Sequence, residues 1–418
     1  MSRIVVMGSG ETTPTMVRVH REIFAACPPG PAVLLDTPFS FQMNRDELVA
    51  RTRLYFAQSI GREVDVAGWP RRDADDATLE RALALLDRAT WAFAGPGSPT
   101  YALRHWRGTG VPAALSAVVR RGGTLVMGSA AALTLGSHTV PVYEIYKVGV
   151  EPEWVEGLDL MSELAGLSTV VVPHYDNAEG GTHDTRFCYL GEQRLAHLEG
   201  LLPPGTGVLG VDEHTAVVFD LAAGVASVSG RGVLSVRRGG ETTTFGSGTV
   251  LPLADLDALL RGAGAVPGAA VAVPSPAGPT AAPADDVVTS VREEADRARK
   301  AFDEALARRD LAGCVAVVLS LEAAITAWRA DTLQSDDVDE ARRVLRAMVV
   351  RLGELASDGI QDPSERIGPY VDLLLDLRTA ARAAQDFAMS DLVRDRLGDL
   401  GVEVRDTPDG PTWGLADV

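Results

Sequence analysis

Up to residue 252 the chain alternates two patterns of apolar and polar positions. Runs at Arg3–Met7, Ala32–Leu35, Glu63–Val66, Trp91–Ala94, Thr124–Met127 and Thr169–Val172 are too short for helices and read as buried strands. Between them, stretches such as Asp75–Arg88 and Pro112–Arg120 space their apolar residues as an amphipathic helix does. The alternation predicts an α/β fold: a mostly parallel sheet with helices on both faces, since parallel neighbours need a crossover. From Val208 the rhythm shortens. Val208–Val211, Thr215–Phe219, Val225–Ser229 and Val233–Val236 are separated by Gly and Asp turns and predict an antiparallel extension packed against the main sheet.

Residues 253–286 read as a linker, because 262–286 is rich in Gly, Ala and Pro and carries no charge before Asp285. Residues 287–418 then read as an all-α bundle. Val344, Leu345, Met348 and Leu352 mark one buried helical stripe. Ser390 suits the N-cap of a last helix, Gly401 the residue just past its end, and Val402–Trp413 a turn-rich tail.

Composition narrows the function classes. The 418 residues carry a formal net charge of −18, which argues against a general phosphate-binding surface. Within 287–418, 17 Arg and Lys face 26 Asp and Glu, a net −9, so tight tRNA binding by this part is not expected. Cys27, Cys188 and Cys314 are far apart with no paired spacing, so neither a disulfide framework nor a zinc site is expected. The first residues lack a charged-then-apolar signal pattern, and no stretch reads as a membrane span. A cytoplasmic protein is expected, with no membrane partner and no metal or cofactor; a homo-oligomer is compatible with the sequence.

The candidate chemistry centres on Gly122–Gly136, GGTLVMGSAAALTLG. A buried strand stops at Gly128-Ser129 and a run of small residues opens a helix. A serine on such a turn can act as a nucleophile, and the helix start offers N–H groups to an oxyanion. His174, in VVVPHYDN, follows another strand and suits a general base; His183 lies in a polar loop. For an orienting carboxylate Glu144 in PVYEIYK is the choice, with Asp176 and Glu179 as competitors and an ion pair with Lys147 as its purely structural alternative. Gly95-Pro96-Gly97-Ser98-Pro99 places a glycine turn before a helix start, so the N–H of Gly97 joins that of Ala130 as an oxyanion donor. Gly8-Ser9-Gly10-Glu11 lacks the full dinucleotide pattern. Cys188 reads as an inert buried thiol, and Asp212-Glu213-His214 as a turn rather than a metal site.

Four stretches in this order, GPGSPTYAL, GSAAAL, PHYDN…DTR and GVDEHTAV, resemble the dipeptidase E and cyanophycinase family of serine peptidases, whose fold is similar to class I glutamine amidotransferases. The resemblance covers about the first 250 residues. It implies cleavage of small or aspartate-containing peptides, or of a related amino-acid-derived substrate, by Ser129, His174 and an acid. Arg186 and Asn177 of the histidine segment would then face the substrate. Two registers are open at the elbow: aligning Gly128 with its first glycine puts Ala130 at the nucleophile position, whereas aligning the small-residue run puts Ser129 there. The segment Val371–Trp413 closely resembles the C-terminal end of cysteinyl-tRNA synthetases, and 287–418 their helical domain. The synthetase's catalytic motifs are not in the sequence, so the alternative function is an inactive hydrolase fold that binds tRNA or a protein without aminoacylation.

Overall fold

The computed structural model describes residues 2–69, 75–178, 183–263, 290–328, 337–360, 363–408 and 410–416. They form two compact units, Met1–Arg297 with Ser320–Ala341, and Ala298–Leu319 with Arg342–Val418.

The first unit is built on β1 (Arg3–Met7), β2 (Ala32–Leu35), β3 (Asp65–Ala67), β4 (Trp91–Ala94) and β5 (Thr124–Gly128), paired in parallel in the order β1-β5-β4-β2-β3. Side chains alternate across the sheet, and both faces are covered. Ile4, Val6, Leu125 and Met127 enter one apolar cluster, whereas Val5, Met7 and Val126 enter the other. The connections are α1 (Val17–Ala25), α2 (Arg45–Tyr55), α3 (Asp76–Arg88), α4 (Pro99–Trp106), α5 (Val111–Arg120) and α6 (Ser129–Leu133). The strand predicted at Glu63–Val66 begins two residues later, at Asp65.

After α6 come a small ribbon, β6 (His138–Thr139) with β7 (Val155–Glu156), then α7 (Leu160–Ala165), β8 (Thr169–Val172) and α8 (Gly191–Gly200). The remaining strands are β9 (Gly207–Val211), β10 (Thr215–Asp220), β11 (Val225–Gly230), β12 (Val233–Arg238), β13 (Glu241–Gly246) and β14 (Val250–Pro252). The antiparallel extension divides between two sheets. Strands β10, β11 and β14 extend the main sheet beyond β1, making eight strands, while β8, β9, β12 and β13 form a separate four-stranded sheet. Thr169–Val172 therefore pairs in parallel with β9 and stands outside the main sheet.

The expected linker begins too early. Leu253–Arg261 forms a further helix, α9, which buries Leu256 and Leu260 in the core beside β9 and β12. The rest of the linker assignment, from 264 to 286, lies outside the described residues.

Beyond it the chain is helical, as the pattern predicted, in α10 (Val291–Ala307), α11 (Leu311–Ala327), α12 (Asp337–Ile360), α13 (Pro363–Ala383) and α14 (Phe387–Asp399). Ser390 is a buried residue inside α14; the N-cap is Asp386, whose carboxylate accepts the Met389 N–H at 3.1 Å. Gly401 does follow the helix end, with φ +80°. The expected turn-rich tail is a hairpin, β15 (Val402–Thr407) with β16 (Gly410–Leu415). Val371, Leu375, Leu397 and Val402 form its small core with α13 and α14.

Candidate active site

Strand β5 is buried throughout and gives way to α6 without an intervening loop. The reversal is absorbed at Ser129, whose φ is +48°, a conformation costing about 1–3 kcal/mol in a non-glycine residue. Such strain persists where packing over-determines it, and here Met127 and Ala131 on either side are fully buried. It is Ser129, not Ala130, that occupies the sharp turn.

His174 follows β8, also at φ +48° and largely buried. Its Nε2 accepts the Ser129 hydroxyl at 2.9 Å, and its Nδ1 donates to Glu213 Oε1 at 2.6 Å. Glu213 lies between β9 and β10, and its N–H donates to Asp176 Oδ1 at 2.8 Å. Asn177 is buried and donates its amide to the same Glu213 Oε1 at 3.3 Å, so it braces the carboxylate.

The Gly8-Ser9 turn joins base and acid. The His174 N–H donates to the Gly8 carbonyl at 3.3 Å, and the His214 N–H to the Ser9 carbonyl at 3.2 Å. A β-carbon on Gly8 would stand 1.9 Å from the Asp212 carbonyl oxygen, so only glycine lets this turn approach the acid-bearing segment. The glycines read as a weak nucleotide motif thus serve to seat the two segments.

The electrostatics separate the neighbouring acids. Burial raises the Glu213 carboxyl, but the His174 hydrogen bond and charge and the Asn177 amide outweigh it, leaving its pKa below the usual value. Asp212 is pushed up to about 6, first by burial and then by the Asp176 charge. Glu11 is fully buried, one carboxyl oxygen has no hydrogen-bond partner, and burial raises its pKa. The ionised partner of His174 is therefore Glu213.

Glu144 stands elsewhere. It opens the π-helical turn Glu144–Val148, and its Oε1 accepts the Thr100 hydroxyl at 2.7 Å. Lys147 lies over the Tyr146 ring at 4.9 Å. The expectation that Glu144 orients His174 is thus replaced by Glu213, because the acid is delivered by a turn between two later strands. Asp176 holds the Glu213 backbone, and Glu179 lies outside the described residues.

Ser98 caps α4, accepting the Tyr101 N–H at 3.1 Å, with Pro99 at the first helical position. Gly97 has φ +134°, and a β-carbon there would sit 2.0 Å from the Pro38 carbonyl oxygen. The Ala131 N–H donates to the Gly95 carbonyl at 3.2 Å and ties this turn to the serine helix. Ala130, second in α6, has no intrahelical acceptor for its N–H.

Arg186 donates twice to Asp184, at 2.9 and 2.8 Å, and covers the Phe187 ring at 4.9 Å. His183 stacks on Tyr146. Cys188 is buried and its thiol is pushed up by burial, which suits an inert group. Asp212, Glu213 and His214 diverge: Asp212 accepts the Val233 N–H, Glu213 meets His174, and His214 Nδ1 pairs with the Thr15 hydroxyl at 2.9 Å. Among the described residues, no group of three His, Cys, Asp or Glu is placed to hold a metal. None of the described helices is long and apolar enough to cross a membrane. Sequence reasoning missed Glu213 as a partner of His174; an acid at a strand end within GVDEHTAV was the available signal.

No family model matches the chain. Its curated similarities are partial. The cysteine–tRNA ligase of Desulfitobacterium hafniense is 36% identical over 130 residues, 30% of this chain and 27% of that protein. That of Streptomyces coelicolor is 38% identical over 94 residues, 20% of this chain and 15% of the other. A third, from Nitratidesulfovibrio vulgaris, is 58% identical over 45 residues, 11% of this chain and 9% of the ligase. The chain thus spans about a quarter or less of these relatives. Among solved structures, a peptidase from an acI-B1 Actinobacterium is similar over 60% of this chain and 97% of its own, with 19% identity and a TM-score of 0.49. A candidate peptidase E protein from Listeria monocytogenes is similar over 59% of this chain and 98% of its own, with 12% identity and a TM-score of 0.37.

Proposed function

We propose that the first unit is a serine hydrolase acting on small peptides or related amino-acid-derived substrates. One observation carries the reading: the Ser129 hydroxyl meets His174 Nε2 at 2.9 Å while His174 Nδ1 meets Glu213 at 2.6 Å. This is a nucleophile, a base and an orienting carboxylate in series. His174 takes the Ser129 proton as Oγ attacks the substrate carbonyl. The resulting oxyanion is received by the N–H groups of Gly97 and Ala130. His174 then gives its proton to the leaving amine, and later draws one from the water that frees the acyl group. Glu213 keeps His174 in the tautomer whose Nε2 accepts, and stabilises the imidazolium.

Steady-state hydrolysis of short peptides by the full chain tests the assignment. Ser129→Ala and His174→Ala are each expected to remove nearly all activity. Retention of activity within about tenfold by Ser129→Ala would reject it.

For the helical part we propose a binding role, in line with the partial likeness to cysteine–tRNA ligases. Residues 287–418 carry a net −9, and some of their cations are set against acids, as in Arg378 and Arg382 with Asp406 and Arg405 with Glu403, which favours a protein partner over tRNA. A low-salt tRNA mobility-shift assay on the full chain checks this: no shift is expected, and a salt-sensitive shift would reverse the choice.

A further inference from the structure

Substrate selection can be approached from the cavity that begins at Ser98, the residue after Gly97. It measures about 590 Å³, within the ~300–1,000 Å³ usual for ligand sites. Phe41, Met43, Tyr101 and Tyr143 supply its apolar walls, and no described lining residue carries a carboxylate, an ammonium or a guanidinium. Phe41 and Tyr101 pack ring against ring with centroids 5.1 Å apart. Phe41, Met43 and Tyr143 are nonetheless exposed, at 47%, 104% and 40%. A cluster of large apolar side chains left open to water around a concavity marks a surface that gains by being covered.

Two cationic candidates are set against acids. Arg186, the basic residue of the histidine segment, is forked onto Asp184. The neighbouring cavity of about 490 Å³ contains Arg104 and Arg107, but Glu144, Glu151 and Glu153 line it too and leave it net negative. A substrate carboxylate would find repulsion there, and desolvation without a counter-charge at the aromatic cavity.

Resting on the hydrolase reading, we propose that the Phe41–Tyr101 cavity receives a bulky apolar or aromatic side chain from the residue bearing the scissile carbonyl. The site would then select apolar peptides over aspartyl ones. The reason is adjacency along the chain: Ser98 lines the cavity and directly follows Gly97, the donor assigned to that carbonyl's oxygen, and the same turn is tied to the serine helix by the Ala131 N–H to Gly95 carbonyl bond.

The test compares Phe-, Ala- and Asp-p-nitroanilide with the full chain and with Phe41→Arg. In the unaltered protein, kcat/KM for the Phe substrate should exceed that for Ala by about 10- to 200-fold, with Asp no better than Ala. Phe41→Arg, at a partly solvent-facing position, should shift the Phe-to-Asp ratio toward Asp by about tenfold or more. A preference for Asp, or a ratio unmoved by Phe41→Arg, would overturn the proposal. Fluorophosphonate labelling of the unaltered protein separates the two failures. Labelling of Ser129 with an Asp preference defeats the specificity alone, whereas no labelling and no hydrolysis of any substrate defeats the hydrolase reading and the specificity with it.

Discussion

The two units handle apolar surface and backbone strain in opposite ways. The first buries β1 and β5 on both faces and holds Ser129 and His174 in left-handed conformations at the ends of buried strands. The second keeps a small core around Val371, Leu375, Leu397 and Val402 and leaves Tyr370, Leu373, Leu377, Phe387 and Leu392 exposed. Its left-handed non-glycine residues, Arg309 and Gln385, fall just after α10 and α13 rather than at clustered chemical groups. The difference teaches where chemistry can be built: strained, aligned polar groups need a surround rigid enough to hold them. An open helical surface is suited to contact rather than to catalysis.

The sharpest break between the units is expected from Ser129→Ala, which should lower kcat/KM for a cleavable peptide by about 10⁴-fold or more. Second in size, Glu213→Gln should cost about 10³–10⁴-fold by losing the carboxylate that fixes the His174 tautomer. Glu144→Gln should stay within about tenfold, because its contact is to Thr100. Equal losses from the two glutamines in parallel kinetics would return Glu144 to contention.

Within the second unit, Leu375→Ala should lower unfolding stability by about 2–5 kcal/mol, since Leu375 is buried. Leu377→Ala, on the exposed side of the same helix, should cost less than about 1 kcal/mol. Denaturant melts followed by helical circular dichroism read both, and similar losses would mean that the exposed stripe is covered in solution.

An effect smaller than the Leu375 loss concerns the acid beside Glu213. Asp212 has a raised folded-state pKa of about 6, so its ionisation opposes folding. That penalty is absent below the unfolded value near pH 4, grows between pH 4 and 6, and is complete above. Asp212→Asn should therefore add about 1–2 kcal/mol at pH 7.5, allowing for screening, and nothing near pH 3.5. Glu213 has the opposite sign: its lowered pKa contributes stability above its unfolded value, lost as pH falls through the folded one. Chemical denaturation of Asp212→Asn at the two pH values checks the crossover; a gain that does not depend on pH would contradict it.

What the sequence disclosed was chiefly local. A short apolar run ending in Gly-Ser placed Ser129 at a strand end, and Val170–Pro173 placed His174 at another. Both depend on neighbours within a few residues. Glu213 does not: it reaches His174 through the pairing of β8 with β9 and of β10 with β1, contacts far apart in sequence. Glu144 looked better because its neighbours are apolar, but its oxygen bonds the Thr100 hydroxyl instead. Similar limits explain the fold-level differences. Glu241–Gly246 is polar along most of its length and gave no apolar signal for β13, yet pairs fully with β12. Ser390 and Asp386 are both capping residue types, and only backbone geometry distinguishes the cap from a buried interior serine.

The central claim is that Ser129 is the nucleophile. Full-chain protein treated with a small fluorophosphonate and digested for mass spectrometry tests it directly. The account predicts one adduct, on Ser129, absent from Ser129→Ala and strongly slowed in Glu213→Gln. An adduct confined to another serine, or no adduct under conditions that label an ordinary serine hydrolase, would contradict it.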